Sequence, residues 1–179
     1  MSDQSGTKIT RRRLIATCAT MVAGVAGFQL VQSCSSESET EKIQTDSQKN
    51  NSTMKKIIST KNAPGAIGPY SQAVLINGFL YTSGQIAINP ANNELVMDTI
   101  QNETHQVMNN LKAILTEAGM DFSHVVKTGI FLQSMNDFAV VNDIYASYFN
   151  SDFPARETVE VAKLPKGVNV EISMIAFKG

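Results

Sequence analysis

The chain has two cysteines, Cys18 and Cys34, and none beyond them. Residues 54–179, which carry the patterning of a folded domain, therefore hold no disulfide, no zinc–thiolate site and no cysteine nucleophile. Histidine is as sparse: His105 and His124 stand alone, without a partner at ligand spacing, so no metal-site motif is present. The glycines of residues 63–68 lack a following Lys-Ser/Thr pair and do not read as a phosphate loop. Positive charge is short too. Residues 54–179 carry nine Lys and Arg against eleven Asp and Glu, a net of −2. That balance offers no electrostatic footprint for nucleic acid, and no such partner is expected.

Arginine is the scarcest cation. After residue 13 the chain keeps one arginine, Arg156, beside eight lysines from residue 54 onward. Either cation makes a surface soluble, but only a guanidinium presents a planar fork that matches a carboxylate bidentately. Arg156 stands in FPARETVEV, behind a proline and ahead of a strand-like run. The residues alone leave two readings open: a clamp for a carboxylate ligand, and an ion pair with Glu157 or Glu160.

What is present begins with three arginines, Arg11, Arg12 and Arg13, followed by an apolar, Ala/Gly-rich run from residue 14 to about residue 31. These match the charged and hydrophobic regions of a signal peptide. Thr10-Arg11-Arg12-Arg13-Leu14-Ile15 resembles a twin-arginine export motif. The run stops at Val31-Gln32-Ser33-Cys34, which resembles the lipobox at which bacterial lipoproteins are cleaved and acylated, with Gln32 a departure from it. An uncleaved membrane anchor is the competing reading, although the run is near the minimum spanning length and holds glycines and a glutamine. Residues 35–53 are polar, with Ile43 the one large aliphatic, and cannot bury enough apolar surface to offset their ordering entropy. The expectation is an export signal over residues 1–33, lipidation at Cys34, a tether over 34–53 and a domain over 54–179. Such a protein is exported to the periplasmic face of a bacterial membrane and held there by its lipid anchor only.

Within the domain, residues 55–59 read as a first strand, and residues 73–76 and 79–82 flank Asn77-Gly78, a strong two-residue hairpin signal. A helix follows, with Asp98 and Gln101 at cap spacing, apolar residues at Ile100, Val107, Leu111, Ile114 and Ala118, and Gly119 as its stop. Residues 124–132 read as a strand. A second helix starts near Ser134, with Asp137 completing a capping-box-like pair and Phe138, Val141, Tyr145 and Phe149 at helical spacing. Strands over 157–162 and 168–177 close the chain. The order βββαβαββ predicts an α+β fold with two helices on one face of a sheet. In the last strand Val168, Val170, Ile172, Met174 and Ala176 alternate with Asn169, Glu171, Ser173, Ile175 and Phe177. The apolar set should lie under the helices; the mixed set, left uncovered, should meet another subunit.

Five segments, NAPGAIGPYSQA, LYTSGQIAINP, NDFAVVNDIYASYF, FPARETVEVAKLPKG and VEISMIAF, resemble in order and spacing the Rid (reactive intermediate deaminase, YjgF-like) family. The resemblance spans essentially all of residues 55–179. It implies a chorismate-mutase-like α+β fold, a homotrimer with clefts between subunits, and hydrolysis of 2-imino acids to 2-oxo acids and ammonia without metal or organic cofactor. By the same resemblance Arg156 holds the substrate carboxylate, and Glu171 binds the imine nitrogen or orients water. Tyr70, Ser83 and Asn142 match cleft-lining positions. Many imine-hydrolysing members carry a cysteine where this chain has Thr158, a position that acts largely through its backbone. Glu157 places an extra carboxylate next to the arginine. Taken singly, Glu171 could be a solvated edge charge, Tyr70 a turn residue, Ser83 a strand-end serine and Asn142 a helix-surface side chain.

Two functions are compatible with these residues. One is an enzyme, a deaminase of small 2-imino acids; the other is a trimeric module that captures small carboxylates or stabilises partner proteins without turnover. Arg156 together with Glu171 favours the enzyme.

Overall fold

A computed structural model describes residues 54–179. The export-signal and tether reading, with Cys34, lies outside the described residues. Strands β1 (Lys56–Ile58), β2 (Ala73–Ile76) and β3 (Phe79–Thr82) precede helix α1 (Ile100–Glu117). Strand β4 (Val125–Leu132), helix α2 (Phe138–Ala146), β5 (Ala155–Glu160) and β6 (Val170–Phe177) complete the chain. The six strands form one sheet in the order β1-β2-β3-β6-β4-β5, antiparallel except for the β4–β5 pair. The βββαβαββ order and the α+β class agree with the sequence reading.

Local chemistry explains the turns and stops. Asn77 and Gly78 both have positive φ (50° and 80°), so β2 and β3 meet through the two-residue turn the sequence signals. Helix α1 ends at Gly119, whose φ of +72° is cheap only for glycine. Its cap is Thr99, not Asp98: the Thr99 hydroxyl accepts the Asn102 N–H at 3.1 Å, while Asp98 accepts from the Asn102 side chain at 2.6 Å. The Ser134–Asp137 pair does not open an α-helix either. Ser134 caps a short 3₁₀ turn by accepting from the Asn136 N–H, and α2 begins at Phe138 with no side-chain cap. Strand β5 starts two residues earlier than predicted, directly after Pro154, so Arg156 lies inside the strand rather than ahead of it. Strand β6 starts two residues later, after a 3₁₀ turn at Pro165–Gly167.

Both helices pack on one side of the sheet. Val107, Leu111, Ile114 and Leu115 of α1 are fully buried, facing Val170, Ile172 and Met174 of β6 and Ile130 and Leu132 of β4. Truncating such a side chain to alanine costs about 2–5 kcal/mol. The opposite face is open and partly apolar. Phe79, Tyr81 and Phe177 remain exposed on it, with the Phe79 and Phe177 rings 4.6 Å apart.

Candidate functional site

Strand β6 sets the first half of the site. Val170 and Ile172 point into the core, so Glu171 between them projects from the open face. Its carboxyl reaches over Gly84: a Cβ at residue 84 would lie 1.9 Å from Glu171 Oε1. Only glycine leaves that space. Residues 84 and 85 are locked in register with the strand, because Gln85 and Ile172 exchange both backbone hydrogen bonds, at 2.8 and 3.1 Å. Glu171 lines a cavity of about 390 Å³ with Tyr70, Ser83, Gly84, Ile86 and Pro165. Burial raises the Glu171 pKa above the ordinary carboxylate value.

The far wall of this cavity is a loop held by one buried amide. Gln72, 3% exposed, donates to the carbonyls of Thr60, Ala63 and Pro64 and accepts the Thr60 N–H at 2.6 Å. Both of its amide N–H groups go into shaping that loop, and its oxygen accepts one of the loop's own N–H groups. Tyr70 is half exposed and its hydroxyl accepts the Ile67 N–H at 3.3 Å. Ser83 donates to the Ser71 carbonyl at 2.6 Å, which leaves its oxygen free to accept.

Arg156 lines a second cavity, of about 400 Å³, with Asn142, Tyr145, Ala146, Phe153 and Pro154. Its Nη2 donates to Asn142 Oδ1 at 3.0 Å, and the guanidinium carbon sits 4.9 Å from the Tyr145 ring centroid and 5.9 Å from that of Phe138. The Tyr145 hydroxyl donates to Thr128 at 3.1 Å, and burial raises the phenol's pKa, so its ring stays a neutral platform for the cation. Among the described residues no carboxylate pairs with Arg156. Glu160 accepts the Met135 N–H instead. Glu157, on the other face of β5, pairs with Lys127 of β4 and does not offset the arginine's charge.

One chain thus brings Tyr70, Ser83 and Glu171 together, and Arg156 and Asn142 together, but not the two groups with each other. Arg156 is in register with Thr128, which is fully buried on the helix side, whereas Glu171 is in register with Phe131 on the open side. Thr158 shares the helix side with Arg156, and its hydroxyl oxygen is buried without a hydrogen-bond partner. Gln72 and Gly84 shape the site without having been singled out from the sequence.

Other polar groupings carry no chemistry of this kind. Ser123 and His124 both bond to the same Asp121 oxygen, in a capping box that also depresses the Asp121 pKa, chiefly through the Ser123 hydroxyl. A relay would need the serine on the histidine's far nitrogen. Among the described residues no three His, Cys, Asp or Glu side chains form a metal-binding group.

Residues 60–178 match the family model described as Endoribonuclease L-PSP. YyfA from Yersinia pestis, named as a member of the conserved Rid protein family, is 54% identical, with a TM-score of 0.69 over 70% of this chain and 100% of its own. The chain belongs to the Rid family. The Homo sapiens protein named 2-iminobutanoate/2-iminopropanoate deaminase is a Rid relative 49% identical over 128 residues, 72% of this chain and 93% of its own. Escherichia coli TdcF, solved with bound serine, is 39% identical, with a TM-score of 0.67 over 69% of this chain and 99% of its own. The landmarks that separate the two half-sites in this Rid chain all fall inside the matched residues.

Proposed function

We propose that this protein is a hydrolytic deaminase of small 2-imino acids, working as a homotrimer in which Arg156 of one subunit meets Glu171 of its neighbour. The observation that carries the reading is the Arg156 guanidinium. It lines a cavity with a neutral amide as its hydrogen-bond partner, an arrangement complementary to an incoming carboxylate. A 2-imino acid has that carboxylate next to its C=N carbon. The name of the Homo sapiens relative supports this substrate class.

The chemistry follows from the two ends of the substrate. Arg156 fixes the carboxylate, and Asn142 and Tyr145 fix Arg156. Glu171, made a stronger base because burial raises its pKa above the ordinary carboxylate value, takes a proton from the attacking water as its oxygen bonds to the imine carbon. The nitrogen gains that proton. A second transfer, from the new hydroxyl to nitrogen, breaks the C–N bond, releases ammonia and leaves the 2-oxo acid. Positioned acid–base catalysis of this kind contributes about 10²–10⁴-fold. Tyr70 and Ser83 supply hydroxyls that orient water, and Thr158 supplies backbone groups beside Arg156. No metal or organic cofactor is needed, and the net charge of −2 over residues 54–179 argues against an RNA substrate.

The apolar open face supports the trimer, since its exposed rings are suited to burial against another copy. For the first 53 residues the proposal is cleavage and acylation at Cys34, giving a tethered protein on the periplasmic face of a bacterial membrane. Mass spectrometry of membrane-extracted protein tests this: an intact Met1-containing species counts against it.

The bound serine of Escherichia coli TdcF favours a second reading, capture of small carboxylates without turnover. Ammonia release from 2-iminobutanoate, generated in place by an amino-acid oxidase, separates the two. Acceleration over buffer supports the deaminase; binding of 2-oxobutanoate by calorimetry with no acceleration supports the capture module.

A further inference from the structure

Glu103 is an acidic side chain with no solvent exposure at all. It sits in the first turn of α1, where the positive end of the helix dipole favours an anion. Among the described residues it has no cationic partner. Its carboxylate instead accepts three N–H bonds from Asn169, just before β6, and Val170, which opens it: Oε1 takes Asn169 N at 2.6 Å and Val170 N at 3.3 Å, and Oε2 takes Asn169 Nδ2 at 2.8 Å. Burying a carboxylate is expensive, and charge-assisted bonds offset it only when the oxygens are well satisfied. The carboxylate thus ties the start of β6 to the first turn of α1.

That tie bears on the strand's next residue. Glu171 follows Val170 directly, and Ile172 after it is bound in both directions to Gln85. Residues 170 and 172 are therefore both anchored, one to α1 through Glu103 and one, in the plane of the sheet, to the segment that carries Gly84. Glu171 is left with one direction to point and one surface, Gly84, to rest against. We propose that Glu103 is a positioning residue for the Glu171 carboxyl, setting its placement through Asn169 and Val170. The proposal rests on the deaminase reading for its kinetic consequences, but the placement of Glu171 can be read independently of turnover.

The donor and acceptor pattern supplies the test. All three partners of Glu103 are donors, so Glu103→Gln removes the charge from these bonds and sets an NH₂ opposite the Asn169 side chain, which must turn its amide over to accept it. Adding Asn169→Asp gives that NH₂ an acceptor without any such turn and restores the local negative charge. In the full-length protein, Glu103→Gln should lower kcat about tenfold with KM within about twofold of the parent, because a misplaced acid–base group slows chemistry more than binding. The double variant should return kcat to within about threefold of the parent. In parallel, the ¹³C signal of the Glu171 carboxyl should be single and sharp in the parent, broadened or split in Glu103→Gln, and single again in the double variant. If the parent releases no ammonia, the deaminase reading fails and the carboxyl signal alone decides the positioning claim. A Glu103→Gln protein that melts earlier yet keeps the parent's kcat and Glu171 signal overturns it. So does a folded double variant in which neither kcat nor the signal recovers. Should Glu103→Gln not fold, recovery of fold and kcat together in the double variant supports the claim, and recovery of fold without kcat overturns it.

Discussion

Arg156 and Glu171 lie on opposite faces of the same sheet, one in register with the buried Thr128 and the other with Phe131 on the uncovered side. A small substrate touching both within a single chain would have to pass through a packed core. In the homotrimer we propose, a second copy docked on the open face would let the two groups converge.

Arg156→Lys tests the shape of the cation. Lysine keeps the charge and loses the planar fork, as well as the stacking on Tyr145. Displacement of the substrate by about 1 Å costs on the order of a hundredfold in kcat/KM. The melting temperature should change little, since the guanidinium lines a cavity instead of filling the core. Near-parental turnover by this variant contradicts the clamp.

Gly84→Ala tests the seat of the Glu171 carboxyl. The added methyl would lie 1.9 Å from Oε1, so the carboxyl must move. Steady-state assays should show a loss of about a hundredfold in kcat, with circular dichroism unchanged. Retention of activity would mean that the resting position of Glu171 is not the working one.

Glu171→Gln tests the burial of the carboxyl by linkage. Its folded-state pKa is raised, so below the unfolded value both states are protonated and ionisation costs the fold nothing. As pH rises through the folded pKa, the parent loses stability that the glutamine variant keeps. Melts at about pH 4 should coincide, and by pH 7 the variant should melt higher by about one to a few degrees, a modest gain because the group is part-solvated. A parent that gains on the variant with rising pH contradicts the raised pKa.

Much of this was legible in the sequence because it depends on local periodicity. The Asn77-Gly78 hairpin, the stop at Gly119 and the alternation that sends Glu171 to one face and Val170 and Ile172 to the other need only a few neighbouring residues. The boundaries shifted where a local signal competed with another partner. Ser134 capped a 3₁₀ turn instead of α2, and Val168 and Asn169 were left outside β6 by the turn at Pro165–Gly167. The residues that shape the site from behind depend on long-range contacts. Gln72 bonds to a loop 8 to 12 residues away, and Glu103 to Asn169 and Val170, 66 and 67 residues on. One signal for Glu103 was present: it falls on the stripe of Val107 and Leu111, four and eight residues before them, and a carboxylate on an apolar stripe needs a partner.

Subunit mixing tests the shared site most directly. Arg156→Ala and Glu171→Gln are each expected to fall to about 1% of parental activity, the scale of losing a positioned acid–base or binding group. Once the two are unfolded together at equal concentrations and refolded, about three trimers in four are mixed, each with one neighbouring pair of three joining an intact arginine to an intact glutamate, so about one pair in four is intact across the mixture. The account predicts recovery to about a quarter of parental ammonia release in the mixture. Mixed trimers verified by native mass spectrometry, yet no more active than either variant alone, would contradict it.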